Sequence, residues 1–279
     1  MTRRATPRTL LAVLAMALVL AACQPSASAN PSASVDEPSA AASVEDVELT
    51  ILGAASLQDA LDEIDVEYEA AVPGTNLVIA TDSSAALRTQ IEEGSPADVY
   101  LSADTSNPDT LVEAGIGVET VEYAGNSVAL VVPMDNPAGI ESPADLATAG
   151  IQIIAAGAEV PITSYVAEVV ANLAGLPDYP AGFADAYAAN VVSEEDNVRG
   201  VLTKIELDEG DAGFVYQTDA ESSADVQIIE IPEDANTHAV YGGCVISDSN
   251  RLEAAEAFLT WLAGPDGQAM LAEFGFIGP

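Results

Sequence analysis

The feature that most constrains the fold is a repeated alternation of apolar, strand-like runs and amphipathic segments, which begins near residue 47. In the first unit, "VELTILG" (47–53) ends at a glycine, and apolar residues then recur at helical spacing from Ser56 to about Ala71. Such alternation predicts an α/β fold with mostly parallel sheets and helices on both faces. Ligands of such folds bind beyond the C-terminal ends of the strands, at helix N-termini.

The same alternation places the remaining elements. Strands are predicted at 76–82, 98–104, 126–133, 151–157, 212–218, 226–232 and 239–246. Helices are predicted at "SSAALRTQIEEG", "PDTLVEAGI", "SPADLATA", "TSYVAEVVANLAG", "NVRGVLTKIELDEG" and "RLEAAEAFLTWLAG". In the last helix, Trp261 lies at helical spacing from other apolar residues, which predicts a core position.

Four of the predicted helices start with small or polar residues directly after a strand-like run. These starts are Ser56, the pair Ser83-Ser84, "PITS" (161–164) and the pair Asn197-Val198. Serine and asparagine are favoured N-caps, and a helix N-terminus also attracts anions through its free N–H groups. The residues alone leave both interpretations open, a set of plain caps or one anion site to which several helices converge.

The N-terminal segment has the pattern of an export signal. Arginines precede an apolar stretch from Leu10 to Ala22 that is too short to span a membrane as a mature helix. It ends in "LAAC" (20–23), which resembles a bacterial lipobox, so we predict a signal peptide at 1–22 and a lipid on Cys23. Residues 23–46 repeat Pro, Ser and Ala and are predicted to form a disordered tether. The protein is therefore expected to be exported and anchored by lipid to the outer face of the cell membrane; Arg3-Arg4 leaves the export route open.

The composition excludes several classes of function. The chain has 7 basic and 45 acidic residues, with a formal net charge of −38. This charge argues against nucleic acid as a partner, and against any membrane contact other than the lipid on Cys23. Once Cys23 is lipidated, Cys244 and His238 are the only cysteine and histidine left. They cannot supply the usual ligands of a zinc site, so no bare metal ion is expected.

Several motifs together resemble the molybdate-binding proteins of ABC-type molybdate transporters. They are "GAASLQDAL", "SSAALRTQIEEGSPADVYLSAD", "GNSVALVVP", "EEDNVRGVL" and "AGFVYQTDA", in this order along the chain. The resemblance implies a two-lobed type II periplasmic-binding-protein fold with the ligand cleft between the lobes. Lobe 1 would comprise 47–124 and 238–279, and lobe 2 would comprise 125–237. It further implies a monomeric binding protein without catalytic residues or cofactor, whose ligand is molybdate or tungstate and whose partners are an ABC permease and its ATP-hydrolysing subunit.

The resemblance also implies a set of ligand-binding residues. In this family the oxyanion is held by neutral donors, and the matching positions here are the hydroxyls of Ser56, Ser84 and Tyr216 and the backbone N–H groups of Ile162 and Val198. Ile162 fits least well, since the family commonly has a small residue there. Ser56 is expected both to cap its helix and to face the anion.

Charged residues near these positions are expected to lie outside the anion site. Asp82 is predicted to cap a helix or to point away, because a carboxylate against a dianion is costly in a dry cleft. Arg88 is predicted to pair with Glu92 at i,i+4 spacing on an exposed helix face. Arg199 is predicted to orient the helix that starts at Val198.

Two alternatives to a molybdate-binding protein follow from the same residues. The first is a binding protein for sulfate or phosphate, because the size of the cleft cannot be derived from sequence. The second is a serine hydrolase, which would need Ser56 or Ser84 beside His238. "GAASL" lacks the glycine pattern of a nucleophile elbow, which argues against this second alternative.

Overall fold

The computed structural model describes residues 46–279. The predicted signal peptide at 1–22, the lipidation site Cys23 and the tether up to residue 45 lie outside the described residues. The described residues belong to one compact unit. None of the helices within 46–279 has the length and apolar character needed to cross a membrane.

The alternation predicted from the sequence is present throughout. The strands are β1 (Val47–Ala54), β2 (Thr75–Asp82), β3 (Val99–Leu101), β4 (Val121–Pro133), β5 (Ile153–Ala156), β6 (Val191–Glu195), β7 (Ala212–Tyr216), β8 (Val226–Ile229) and β9 (His238–Val245). The helices are α1 (Gln58–Ala71), α2 (Ser84–Glu92), α3 (Ser106–Glu113), α4 (Pro161–Gly175), α5 (Phe183–Asn190), α6 (Val198–Glu206), α7 (Gln217–Ser222), α8 (Leu252–Ala263) and α9 (Pro265–Glu273). Short 3₁₀ turns cover Ala55–Leu57 and Pro143–Ala147.

The strands join in the order β2-β1-β3-β9-β4-β7-β5-β6, and β8 also pairs with β4. At one end β1 pairs in parallel with β2 and β3, and at the other β5 pairs in parallel with β6 and β7. These parallel groups, connected by helices, confirm the predicted α/β class. β4 and β9 instead run antiparallel to their neighbours, which the alternation did not predict.

Strand β4 connects the two parallel groups. Its first part, up to Ser127, pairs with β9, whereas the part from Val128 onward pairs with β7 and β8. Gly125 lies where the strand approaches its neighbours closely: a Cβ there would come within 2.7 Å of His238 Nε2. The backbone of Gly125 also exchanges two hydrogen bonds with Ile277, which fixes the C-terminal segment on this strand. The lobe boundaries predicted from the sequence, 47–124 with 238–279 and 125–237, remain a prediction.

Some predicted elements differ from the observed ones in extent or type. The strand predicted at 212–218 ends at Tyr216, because Asp219 accepts a hydrogen bond from the Tyr216 N–H (3.4 Å) and helps to turn the chain into α7. The segment predicted as a helix around "SPADLATA" is only a 3₁₀ turn, held by Asp145 and the backbone N–H of Ser142. Helices α5, α7 and α9 were not predicted, whereas β6 is the strand-like run that precedes Asn197.

The core position predicted for Trp261 is confirmed. The indole is partly buried and packs edge-to-face on Tyr68, with ring centroids 5.0 Å apart, and Phe258 lies at the same distance from Tyr68. These contacts bury α8 against α1.

Candidate functional site

Ser56 lies in the 3₁₀ turn between β1 and α1 and is buried. The prediction that its side chain caps this helix is wrong, since the turn has no side-chain cap. The Ser56 Oγ lies instead 2.9 Å from the Tyr241 Oη, and either atom is able to donate. Because the Ser56 hydroxyl does not cap the helix, it is able to bond a residue that is distant in sequence, here Tyr241 on β9.

Tyr241 was not predicted as part of the site. Its ring is fully buried and packs edge-to-face on Tyr123, Tyr216 and Phe276. Its oxygen also accepts a hydrogen bond from the Asn126 side-chain amide (3.3 Å). The Ser56–Tyr241 pair has two O–H protons, and the bond between them uses only one. One hydroxyl of this pair is therefore left to donate elsewhere.

Ser84 is the first residue of α2 and is 1% exposed. Its Oγ accepts the backbone N–H of Ala103 (3.0 Å), and its carbonyl oxygen accepts the hydroxyl of Tyr100 (2.6 Å). Ser83, at the N-cap position, makes no side-chain capping bond either. Because Ser84 Oγ acts only as an acceptor among the described residues, its own proton remains available to a ligand.

Tyr216 ends β7 and is 1% exposed. Its hydroxyl has no hydrogen-bond partner among the described residues. Burial, followed by the neighbouring hydroxyls of Tyr241 and Tyr165, raises the pKa of Tyr216 well above its ordinary value. The phenol therefore stays protonated and neutral. A buried hydroxyl without a partner costs about 1–3 kcal/mol, so an unpaired group of this kind in a native fold calls for an explanation.

Tyr165 on α4 connects these groups and was also not predicted. Its ring packs edge-to-face on Tyr216, with centroids 6.4 Å apart. Its Oη is 3.5 Å from the carbonyl oxygens of Ala103 and Val240. Ala103 is the residue whose N–H binds Ser84, and Val240 directly precedes Tyr241 in the chain. Burial raises the pKa of Tyr165 to about 12. We call Ser56, Ser84, Tyr165, Tyr216 and Tyr241 the hydroxyl cluster. Direct contacts link four of them, and the backbone of Ala103 connects Ser84 to Tyr165.

Two further predicted residues, Ile162 and Val198, lie in the first turns of α4 and α6, and both are buried. The backbone N–H groups of a first turn have no partner inside the helix. Helix α4 also carries Tyr165, which ties it to the hydroxyl cluster, and α6 packs against the turn that holds Ser56. Asn197 caps α6, because its Oδ1 accepts the Gly200 N–H (3.0 Å). This is the one predicted helix start of the four where the side chain acts as a conventional cap.

Asp82 lies just before α2. Its Oδ1 accepts hydrogen bonds from the Ser83 N–H (2.7 Å) and from the Asn197 side-chain amide (3.1 Å). The carboxylate is thus occupied by neutral donors and bridges the starts of α2 and α6. Its predicted orientation away from a bound anion remains a prediction.

The arginines near the cluster are already paired. The predicted bond between Arg88 and Glu92 is confirmed at 2.7 Å. Arg199 contacts Asp59 on α1 (2.5 Å) and the fully buried Asp219 on α7 (2.9 Å). Burial raises the pKa of the Asp219 carboxyl to about 6, against the opposing effect of the Arg199 charge. Arg199 therefore ties three helices together, a larger structural role than the sequence predicted.

The geometry does not support the hydrolase alternative. The hydrogen bonds of Ser56 and Ser84 lead to Tyr241 and Ala103, and His238 is exposed at the start of β9. Among the described residues, no group of three or more His, Cys, Asp or Glu side chains is arranged to hold a metal ion. What the cluster offers is a set of buried, neutral O–H donors.

A curated relative is a molybdate-binding protein. The molybdate-binding protein ModA of Mycobacterium tuberculosis is 32% identical over 233 residues, which cover 83% of this chain and 85% of the relative.

Two solved structures have the same fold. The substrate-binding domain of a putative molybdenum ABC transporter from Clostridium difficile is 28% identical with a TM-score of 0.63, and the match covers 84% of this chain and 99% of that one. The periplasmic molybdate-binding protein of Azotobacter vinelandii is 22% identical with a TM-score of 0.70, covering 83% and 99%. The predicted type II periplasmic-binding-protein fold is thus confirmed.

The family assignment rests on nearly the whole described chain. Residues 49–277 match the family described as bacterial extracellular solute-binding proteins. The relatives are solute-binding proteins of transporters and not enzymes. This chain therefore belongs to the family of bacterial extracellular solute-binding proteins.

Proposed function

We propose that this protein binds molybdate, and equally tungstate, outside the cytoplasm and delivers it to an ABC importer. The observation that carries the proposal is the buried Tyr216 hydroxyl, which has no partner in the described chain. Two further O–H protons of the cluster have no acceptor among the described residues, that of Ser84 and one of the Ser56–Tyr241 pair. These donors all belong to one cluster, and an oxyanion would satisfy all of them at once.

The donors favour a fully ionised tetrahedral dianion. Molybdate carries no proton near neutral pH, so it needs donors and no acceptor. Hydrogen phosphate would bring a proton that needs a carboxylate or another free acceptor. The carboxylates near the predicted donors are already engaged. Asp82 accepts from Ser83 and Asn197, and Asp219 pairs with Arg199. Asp104, whose charge acts on Tyr165 and Tyr216, accepts from Ser102 and Asn107. The chemistry of the donor set therefore supports molybdate or tungstate over hydrogen phosphate.

Backbone donors complete the proposed site. Ile162 and Val198 place first-turn N–H groups of α4 and α6 on the elements that carry Tyr165 and pack near Ser56. Such N–H groups, together with the helix dipole, stabilise anions. The size of the Ile162 side chain does not interfere with donation from its backbone.

Delivery would depend on closure of the two predicted lobes over the anion. The contacts that join residues on opposite sides of the predicted boundary include Arg199 with Asp59, Asn197 with Asp82, and Tyr165 with the carbonyl of Ala103. A ligand that binds the closed state more tightly than the open state shifts the population toward it. The permease and its ATP-hydrolysing subunit would then recognise the closed monomer.

A thermal-shift and calorimetry panel tests this function. Molybdate, tungstate, sulfate and inorganic phosphate are added to residues 46–279 in low-phosphate buffer. A ligand at about 100 times its dissociation constant stabilises the fold by about 2.7 kcal/mol. Molybdate and tungstate are expected to give this shift, and sulfate a much smaller one. A stronger response to sulfate or phosphate would replace the proposal by one of the sequence-based alternatives.

The proposed anchor is tested separately. Cys23→Ser is expected to release the protein from the membrane fraction without a change in molybdate affinity, because the lipid would be attached far along the chain from the cluster. Membrane association of this variant would contradict lipidation at Cys23.

A further inference from the structure

The side chain of Asn126 stands at the point where β4 leaves β9 for β7, and it is 1% exposed. Its Oδ1 accepts the backbone N–H of Ser127 (2.9 Å). Its Nδ2 donates to Thr218 Oγ1 (2.9 Å) and to Tyr241 Oη (3.3 Å). Because Ser127 offers only a donor to Oδ1, the amide has one favourable orientation, and its N–H groups must point toward Thr218 and Tyr241.

This orientation determines the direction of the next hydrogen bond. The Tyr241 oxygen already accepts from Asn126, and a phenol is a stronger donor than an aliphatic hydroxyl. The Tyr241 proton is therefore directed to the nearest acceptor, Ser56 Oγ, at 2.9 Å. Burial raises the pKa of Tyr241 well above its ordinary value, so this proton is present at any moderate pH. Once Ser56 accepts from Tyr241, its own proton points away from Tyr241 and is free for a ligand.

We propose that Asn126 is a positioning residue that fixes the proton direction along Asn126, Tyr241 and Ser56, so that Ser56 acts only as a donor to the bound anion. This inference rests on the proposed binding of a dianion at Ser56. It adds a cause for selectivity: with one lone pair of Ser56 Oγ taken by Tyr241 and the Ser56 proton directed to the anion, this oxygen is a poorer acceptor for the proton of hydrogen phosphate. The selectivity is thus set by a residue that does not touch the anion.

Asn126→Asp is designed to reverse the direction of the hydrogen bonds along residue 126, Tyr241 and Ser56. The aspartate keeps the acceptor for the Ser127 N–H but replaces the amide donor by an acceptor. Tyr241 then donates to residue 126, Ser56 donates to Tyr241, and the Ser56 oxygen becomes an acceptor facing the ligand. By calorimetry at pH 8, the ratio of molybdate to inorganic phosphate affinity is expected to fall by about tenfold or more, the equivalent of one hydrogen bond to a charged group.

Two controls separate this effect from added charge and from structural damage. In a Ser56→Ala background, Asn126→Asp is expected to change the affinity ratio by less than about threefold, because the chain then ends before the ligand. Thr218→Val removes the other partner of the Asn126 amide and is expected to leave the ratio within about twofold, since the Tyr241 contact remains. An unchanged ratio in Asn126→Asp, or an equal change in the Ser56→Ala background, would overturn the proposal.

Tyr241→Phe provides a second variant if Asn126→Asp does not fold. It removes the hydroxyl that donates to Ser56, which interrupts the same series of hydrogen bonds one step closer to Ser56. The affinity ratio is again expected to fall by about tenfold. Equal weakening of both anions would mean that Tyr241 and Asn126 are only structural. Wild-type protein that binds no molybdate would refute the proposed function itself, which is a different result from a wild type that binds while the ratio stays constant in the variants.

Discussion

The hydroxyl cluster and the charged residues on the helices near it, which we call the charged ring, differ in how their polar groups are paired. In the cluster, buried groups are neutral, and within residues 46–279 several O–H protons have no acceptor. Around it, the charges are paired: Arg199 with Asp59 and Asp219, and Arg88 with Glu92. Charge holds the helices in place, and in the proposed function the neutral donors would provide the ligand contacts. Such a site would bind a dianion without a counter-charge. A fixed positive charge would attract any anion and would lower the selectivity.

The largest effect on affinity is expected from the serines. Ser84→Ala and Ser56→Ala each remove one donor, and a hydrogen bond to a charged group contributes about 1.5–3 kcal/mol, so each change should weaken molybdate binding about 10- to 150-fold. Ser84→Ala should also lower the melting temperature of the ligand-free protein, because the buried Ala103 N–H loses its acceptor. Calorimetry and ligand-free melting of both variants check this. Loss of stability without loss of affinity would place both serines among the structural residues.

Tyr216→Phe separates the two regions in a different way. It removes a donor to the anion, so molybdate affinity should fall about tenfold. The ligand-free protein loses no hydrogen bond, since this hydroxyl has none among the described residues. Its melting temperature should therefore stay constant or rise. A clear drop in ligand-free stability would mean that the hydroxyl has a structural partner and is not held in reserve for a ligand.

The charged ring is expected to matter less, and mainly through closure. Asp59→Asn breaks the bond that joins α1 to Arg199 (2.5 Å), while the buried pair of Arg199 with Asp219 remains. The Arg199–Asp59 pair is partly exposed, so its net contribution is at most about 1 kcal/mol. Its loss corresponds to a molybdate affinity about two- to fivefold lower at low salt. The difference from wild type should shrink as salt is added.

Arg88→Ala is the matched control for this variant. It breaks a comparable arginine–carboxylate pair within α2, together with the bond that Arg88 Nε donates to Asn107 Oδ1 on α3 (2.8 Å), and neither bond crosses the predicted lobe boundary. Its affinity should stay within about threefold of wild type, since such a pair contributes only tenths of a kcal/mol. If Arg88→Ala abolished binding while the serine variants bound normally, the anion would be held by charge and the comparison of the two regions would be wrong.

The sequence predicted those parts of the molecule that depend on local patterns. Strand-like runs and helix starts follow from periodicity. Ser56, Ser84 and Tyr216 were singled out through short motifs that resemble a family and that span neighbouring elements of the chain. The partners of these residues do not follow, because they are distant in the chain. Tyr241 lies 185 positions from Ser56, and Asp59 lies 140 positions from Arg199.

The capping error has the same origin. A serine at a helix start is a good cap when considered alone. Here the antiparallel strand β9 brings Tyr241 to Ser56, and β3 is followed by Ala103, whose N–H reaches Ser84. Both serines lie close to groups that only the tertiary fold supplies, and these contacts take the place of the local one.

The smallest expected effect is that of pH on affinity. Burial raises the pKa values of Tyr216 and Tyr241 well above 10.0, so both phenols stay protonated through moderately alkaline pH. Molybdate affinity should therefore change less than about twofold between pH 7 and pH 9.5, because a donor's contribution changes only when its protonation changes.

The stability of the ligand-free protein should depend on pH differently from the affinity. In the unfolded chain the same tyrosines ionise near pH 10, so above that pH the folded state binds more protons than the unfolded state and the free energy of unfolding falls. Melting of the ligand-free protein from pH 8 to 11, with calorimetry at each pH up to 9.5, checks both parts. A tenfold loss of affinity before pH 9.5, with the melting temperature unchanged, would mean that a donor in the cluster titrates there and that the cluster is not a set of permanently protonated hydroxyls.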